Sequence, residues 1–126
     1  MDEIIPDLWL SDKEGALEAD ESFIVVSVAE KAIDRDNFLI PVYNHWELKD
    51  EGEVKNMDPF AVECVKKLVI RLLEHGKKVL VHCDAGIDRS PFIAAVVLEA
   101  RGEEFPDAYA IVRNRHPQTM EHFEWK

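Results

Sequence analysis

The sequence predicts an α/β fold: a single domain with a central, mostly parallel mixed sheet flanked by helices. Two observations support this. Short, β-branched apolar runs at residues 23–28, 38–42 and 79–81 alternate with segments of helical periodicity, the pattern of strands joined by helical crossovers. In addition, a length of 126 residues suffices for one hydrophobic core but not for two. We therefore assign residues 1–126 to one domain.

The N-terminal segment predicts one strand and one short helix. Residues 4–10 are largely apolar and read as a single strand, which Pro6 would restrict to the edge of the sheet because proline lacks the N–H that pairs neighbouring strands. Ser11 or Asp12 can cap a helix over residues 14–20. Residues 23–28 then predict a central strand and residues 38–42 a third strand.

The second half contains clearer helix signals. Asp58 followed by Pro59 predicts a helix start, and Gly76 predicts its end after a stripe of apolar residues at three- and four-residue spacing. Later segments predict a buried strand at 79–81 and helices at 91–101, 105–115 and 116–125. The long polar connection at 43–57 predicts a functional loop.

Composition and charge restrict the possible partners. The net charge of −11 would repel nucleic acid and anionic membranes, and we expect neither as a partner. The apolar runs are too short to span a bilayer. The two cysteines form no disulfide framework and have no zinc-site spacing, so we expect no metal and no cofactor, and a reducing, cytoplasmic setting.

The segment at residues 79–91 carries the chemistry. A buried strand leads into Cys83, a loop containing Gly86 follows, and Ser90 and Pro91 suit the N-cap and first position of a helix. A helix N-terminus with inward-pointing loop amides binds anions and favours the thiolate form of Cys83. Arg89 can hold two oxygens of a tetrahedral anion. These are the parts that cysteine-based phosphate-ester hydrolysis requires.

Residues 82–90, His-Cys-Asp-Ala-Gly-Ile-Asp-Arg-Ser, match the H-C-x-x-G-x-x-R-S signature, and the chain here resembles the protein tyrosine and dual-specificity phosphatases. The resemblance implies that Cys83 is the nucleophile, that Arg89 binds phosphate and that Ser90 helps the thiolate leave the phosphocysteine. His82 would support the loop. The anion loop, as we name residues 84–89, would bind substrate through Asp84, Ala85, Gly86, Ile87, Asp88 and Arg89.

The resemblance also implies a general acid on a loop upstream of the cysteine. Asp50 lies 33 residues before Cys83, and we assign it this role, with Glu51 and Asp58 as alternatives. Gln118 resembles a glutamine that positions the hydrolytic water in some family members. The implied function is metal-independent hydrolysis of phosphotyrosine, and of phosphoserine or phosphothreonine, in a phosphorylated protein or peptide.

Two carboxylates in the anion loop depart from the family pattern. Asp84 and Asp88 occupy positions that many protein phosphatases fill with neutral or basic residues. An aspartate directly before the arginine resembles phosphoinositide phosphatases of the myotubularin-like and Sac-like groups, so Asp88 is an alternative general acid and a lipid an alternative substrate. A non-catalytic phosphate-binding module and a rhodanese-like sulfurtransferase or arsenate reductase also remain as alternatives.

Overall fold

A five-stranded mixed sheet forms the centre of the molecule. The computed structural model describes residues 1–29, 33–42 and 57–126. The strand order is β1-β2-β5-β3-β4, with β1 antiparallel to β2 and the other three pairings parallel. The predicted α/β class and mostly parallel mixed sheet are therefore confirmed. The strands are β1 (Asp2–Ile5), β2 (Leu8–Ser11), β3 (Phe23–Ser27), β4 (Phe38–Leu39) and β5 (Lys78–His82).

Four α-helices in the described ranges flank the sheet, and side-chain caps fix the starts of the first two. The Asp12 carboxylate caps the first helix by accepting the N–H of Gly15, and the Asp58 carboxylate caps the second by accepting those of Phe60 and Ala61. None of the helices in the described ranges is long and apolar enough to cross a membrane. The helices are α1 (Lys13–Glu18), α2 (Pro59–Glu74), α3 (Arg89–Ala100) and α4 (Phe105–Arg115), and a 3₁₀ helix follows at Phe123–Trp125.

Both faces of the sheet are buried, as the continuous apolar strands require. In β5, Val79 and Val81 join the large core formed with α2, α3 and α4, whereas Leu80 joins a smaller cluster with Ala16 of α1. The alternation arises because successive side chains of a strand point to opposite faces. Helix α3 lies deep in the large core, since residues 90–98 are all buried. This burial fixes the helix that carries Arg89.

Three sequence predictions of secondary structure are wrong. Residues 4–10 form parts of two strands, because Pro6 and Asp7 make the turn of a β1–β2 hairpin, with Asp7 at a φ of 73°. The third strand is shorter than predicted and comprises Phe38–Leu39. Residues 116–122 are not helical, because their polar groups bind to other parts of the chain instead of to a helix ladder.

Candidate active site

The site lies at the carboxyl edge of the sheet. In the parallel register, Ser11 of β2 and Ser27 of β3 both pair with His82 of β5, so the three strands end side by side. All three residues are buried, and Cys83 follows immediately. Parallel sheets bind ligands beyond this edge, which is where the sequence places Cys83.

A buried chain of hydrogen bonds supports Cys83 from below. The Asn37 side-chain amide donates to Ser27 Oγ at 2.6 Å, and Ser27 Oγ lies 2.5 Å from His82 Nε2. On the other side of the ring, His82 Nδ1 lies 3.2 Å from the Cys83 carbonyl oxygen. Burial lowers the pKa of His82, so the ring is neutral, accepts from Ser27 through Nε2 and donates to the carbonyl through Nδ1. Support of the loop by His82 stays a prediction, and these hydrogen bonds are the contacts through which it would act.

Ser90 lies beside the thiol. Cys83 is 2% exposed, and its Sγ is 3.4 Å from the Oγ of Ser90, which is also buried. The prediction that Ser90 is the N-cap is wrong: the helix begins at Arg89, and Asp88 occupies the cap position without a capping hydrogen bond from its side chain. Placed inside the first turn, the Ser90 hydroxyl is directed at the sulfur.

Arg89 and Asp84 form an ion pair across the anion loop. Arg89 Nη2 donates to Asp84 Oδ2 at 3.1 Å, and the arginine side chain is only 11% exposed whereas the aspartate is 65% exposed. The largely buried arginine side chain is therefore held against the anion loop. The exposed Asp84 carboxylate can rotate away from Arg89 when a bound anion replaces it at the guanidinium.

The corner between β2 and α1 supports the first half of the anion loop. The Lys13 N–H donates to the Asp84 carbonyl at 3.1 Å. Gly86 adopts a φ of +70°, and a Cβ at this position would lie 2.9 Å from the backbone nitrogen of Asp12. Glycine is therefore needed both for its backbone conformation and for the close approach of the two segments.

The segment 116–122 supports the second half of the loop. His116 is buried, and its Nε2 lies 2.5 Å from the Gly86 carbonyl oxygen. The Met120 N–H donates to the Ile87 carbonyl at 2.9 Å, and His122 Nε2 lies 2.7 Å from Asp88 Oδ1. Three successive loop residues are thus each held by this segment.

These histidines were missed in the sequence analysis. His116 is 30 positions from Gly86, and His122 is 34 positions from Asp88. No local spacing connects such pairs. The excess of carboxylates in the anion loop was the available signal, because a loop that binds anions needs partners to neutralise them.

The remaining predicted residues differ in their placement. Gln118 is exposed on the segment that contacts the loop. Asp58 caps α2, and this engages its carboxylate with two backbone N–H groups. Ala85 is exposed and Ile87 is half-buried within the loop. Asp50 and Glu51 lie outside the described residues.

The fold and the cysteine–arginine loop at its carboxyl edge define the class of cysteine-dependent phosphatases. A family model described as the dual specificity phosphatase catalytic domain matches residues 18–126, and the chain belongs to this family. Among curated proteins, a mouse serine/threonine/tyrosine-interacting protein is 43% identical over 51 residues. That match covers 40% of this chain and 23% of the mouse protein, so it spans less than a quarter of the relative's length.

Solved structures share the fold over nearly the whole chain. Human DUSP28 superposes with a TM-score of 0.70 at 20% identity, covering 98% of this chain and 89% of that one. The human tyrosine phosphatase-like serine/threonine/tyrosine-interacting protein gives 0.71 at 20% identity, with coverages of 98% and 89%. A mouse putative dual specificity phosphatase, complexed with zinc tungstate, gives 0.71 at 16% identity, with coverages of 98% and 79%. At these identities the similarity concerns the fold.

Proposed function

We propose that the protein hydrolyses phosphotyrosine, and phosphoserine or phosphothreonine, in phosphorylated proteins or peptides through a phosphocysteine intermediate. The observation that carries this proposal is the buried Cys83 sulfur, 3.4 Å from the Ser90 hydroxyl and at the base of a loop that ends in Arg89. Residues 1–126 constitute the catalytic domain, and the protein works in the cytoplasm, where thiols stay reduced.

In the first step, the Cys83 thiolate attacks phosphorus as the bond to the leaving oxygen breaks. Arg89 exchanges Asp84 for two phosphoryl oxygens, and the backbone amides of the loop bind the charge on the transferred group. Asp50 gives its proton to the leaving oxygen. The step is proposed to need no metal, because Arg89 and the loop amides stabilise the charge on the transferred group.

In the second step, water attacks the phosphocysteine. Asp50, now ionised, removes the proton of the water, and Gln118 orients it. The sulfur–phosphorus bond breaks, and the electron pair returns to Cys83. The Ser90 hydroxyl stabilises the departing thiolate by a hydrogen bond along the contact already present in the structure.

The alternative general acid, Asp88, is engaged elsewhere. Its carboxylate accepts a hydrogen bond from His122, and a residue bound in this way is poorly placed to give a proton to a leaving group. This contact favours Asp50. It also weakens the case for a phosphoinositide phosphatase, which the net charge of −11 opposes independently.

The variant Cys83→Ser tests the nucleophile. We expect it to fold normally, to bind oxyanions and to lose turnover of p-nitrophenyl phosphate by at least about 1,000-fold. Normal turnover would refute the assignment.

The variant Asp50→Asn tests the general acid. It should remove the alkaline limb of the pH profile of kcat, measured at saturating p-nitrophenyl phosphate, since that limb reports loss of the proton that is donated. Asp88→Asn serves as the matched control and should retain the limb.

A second candidate function is phosphate recognition without hydrolysis. It is favoured by one observation: the curated relative is named an interacting protein, and its human counterpart in the structural comparison is called phosphatase-like. The presence of Cys83, Arg89 and Ser90 in one site favours catalysis, because a recognition module has no need of the thiol. Binding of a phosphopeptide without any release of phosphate would decide for recognition.

A further inference from the structure

His122 bridges two carboxylates at the edge of the anion loop. Its Nε2 lies 2.7 Å from Asp88 Oδ1, and its Nδ1 lies 2.7 Å from Glu124 Oε1. The ring stacks on Trp125 with centroids 3.8 Å apart and planes 6° from parallel. The imidazole is thus fixed from three sides. The carboxylate on one of these sides belongs to the residue directly before Arg89.

This geometry requires both ring nitrogens to carry protons. Ionised carboxylates only accept hydrogen bonds, so a ring placed between two of them is satisfied only as an imidazolium. Burial by itself would lower the pKa of His122, but the hydrogen bonds to Asp88 and Glu124 outweigh it and raise the pKa above the ordinary value. The geometry and the direction of this pKa shift therefore both favour the charged form of His122.

The other charged or titratable groups around His122 come from three parts of the chain. Asp88 precedes α3, Glu124 belongs to the 3₁₀ helix, and Tyr109 of α4 accepts the His122 backbone N–H at 3.1 Å through its hydroxyl. Burial raises the pKa of Tyr109 further above the physiological range, so this side chain stays neutral. The neighbouring Glu121 pairs with Arg113 of α4. Among these groups, His122 is the one that titrates near neutral pH.

We propose that His122 is a positioning residue that neutralises Asp88 and thereby sets the oxyanion affinity of the anion loop, which weakens as His122 loses its proton at higher pH. The inference rests on the proposed role of this loop in binding phosphate. Without the imidazolium, the Asp88 carboxylate would repel the anion and compete with it for the adjacent Arg89. Pairing with His122 explains how the anion loop can bind an oxyanion although it contains the Asp88 carboxylate.

Sulfate binding to the Cys83→Ser variant tests the proposal. Sulfate keeps two charges over the whole pH range, and the substitution replaces the thiol by a hydroxyl, which does not ionise in that range. We expect the affinity for sulfate to fall about two- to fivefold between about pH 5.5 and about pH 8.5, because a partly exposed charge pair changes a binding constant by about that factor. His122→Gln, added to the Cys83→Ser variant, should abolish this pH dependence and give weak sulfate binding at every pH. The matched control, His75→Gln on the exposed end of α2, should leave the dependence unchanged.

Asp88→Asn supplies the complementary test. In the Cys83→Ser background it should give tight binding at both pH values, and it should restore tight binding to the His122→Gln variant, because no carboxylate then needs neutralising. This rescue separates a charge effect from simple unfolding. Retention of the pH dependence in His122→Gln, or failure of Asp88→Asn to rescue it, would overturn the proposal.

The two proposals can fail separately. Sulfate affinity is measured without turnover, whereas hydrolysis of p-nitrophenyl phosphate is measured on the unaltered chain. A chain without turnover that shows the predicted sulfate profile would contradict the proposed function and support the role of His122. An active phosphatase with a sulfate affinity independent of pH and of His122 would do the reverse.

Discussion

At the level of single residues, the chemistry depends on how the charges near Cys83 are paired. Asp84 contacts Arg89, Asp88 contacts His122, and His82 is neutral within a buried chain of hydrogen bonds. The first two contacts place a cationic partner beside each carboxylate of the anion loop. A chain of net charge −11 can therefore present a local site for an anion.

Gly86→Ala tests the fit between the anion loop and the β2–α1 corner. The added Cβ would meet the Asp12 backbone nitrogen at 2.9 Å, so the loop must shift. We expect a loss of about 1–3 kcal/mol in the free energy of unfolding. Turnover should fall by at least about tenfold, because a small misplacement of reacting groups is costly.

Gly76→Ala is the matched control for this substitution. Gly76 has nearly the same φ, +71°, but nothing lies within 4 Å of the position that a Cβ would occupy, and it follows α2 away from the loop. This variant should lose stability through backbone strain alone and keep its turnover. Equal loss of turnover in both variants would show that the close approach at Gly86 is unimportant.

The motif residues could be predicted from sequence because they are close along the chain. Cys83, Gly86 and Arg89 fall within one strand–loop–helix corner, where local geometry determines their relation. The contacts of His116 and His122 could not, since they depend on how a distant segment folds back onto the loop. The sequence also predicts Ser90 as part of the site but places it at the N-cap, whereas the helix begins at Arg89, two residues earlier than that capping signal indicates.

At the level of elements, the helices with strong start and stop signals were predicted well. The cap at Asp58 and the glycine after α2 lie where the sequence places them. The β1–β2 hairpin was missed because its turn contains Asp7 in a left-handed conformation, which is uncommon for a residue other than glycine. For segment 116–122 the sequence predicts a helix, because it does not reveal that the polar side chains of this segment bind to distant parts of the chain.

Substitutions at Asp58 separate its capping role from an acid role. Asp58→Ala removes the acceptor for two backbone N–H groups and should cost about 0.5–2 kcal/mol of unfolding free energy. Asp58→Asn keeps a good cap and should be nearly neutral in stability. Both variants should retain the alkaline limb of the rate profile, measured with p-nitrophenyl phosphate. Loss of that limb in Asp58→Asn would identify Asp58 as the general acid in place of Asp50.

At the level of the whole molecule, the net charge of −11 influences how substrates approach. A phosphopeptide with acidic flanks is repelled at long range, and one with basic flanks is attracted. Raising the ionic strength screens both effects. We expect kcat/KM to rise with salt for the acidic peptide and to fall for the basic one, by about two- to tenfold. Identical salt responses of the two peptides would contradict this expectation.

Stability should depend on pH through His122. Because its pKa is raised on folding, the bridge contributes fully below the unfolded value of about 6.5, and its contribution is lost as pH rises through the higher folded value. His122→Gln should therefore be less stable than the unaltered chain by about 1 kcal/mol or less at low pH, with a smaller difference at high pH. Denaturant unfolding at several pH values measures this difference. A gap that widens with rising pH would contradict the bridge.

The central claim is that Cys83 carries the phosphoryl group during turnover. Rapid quenching of the reaction with an aryl phosphate, followed by mass spectrometry of the digested protein, tests it most directly. We expect the peptide containing Cys83 to gain the mass of one phosphoryl group, more so in Asp50→Asn, where the second step is slowed. Turnover without any such adduct, or with the adduct on another residue, would contradict the claim.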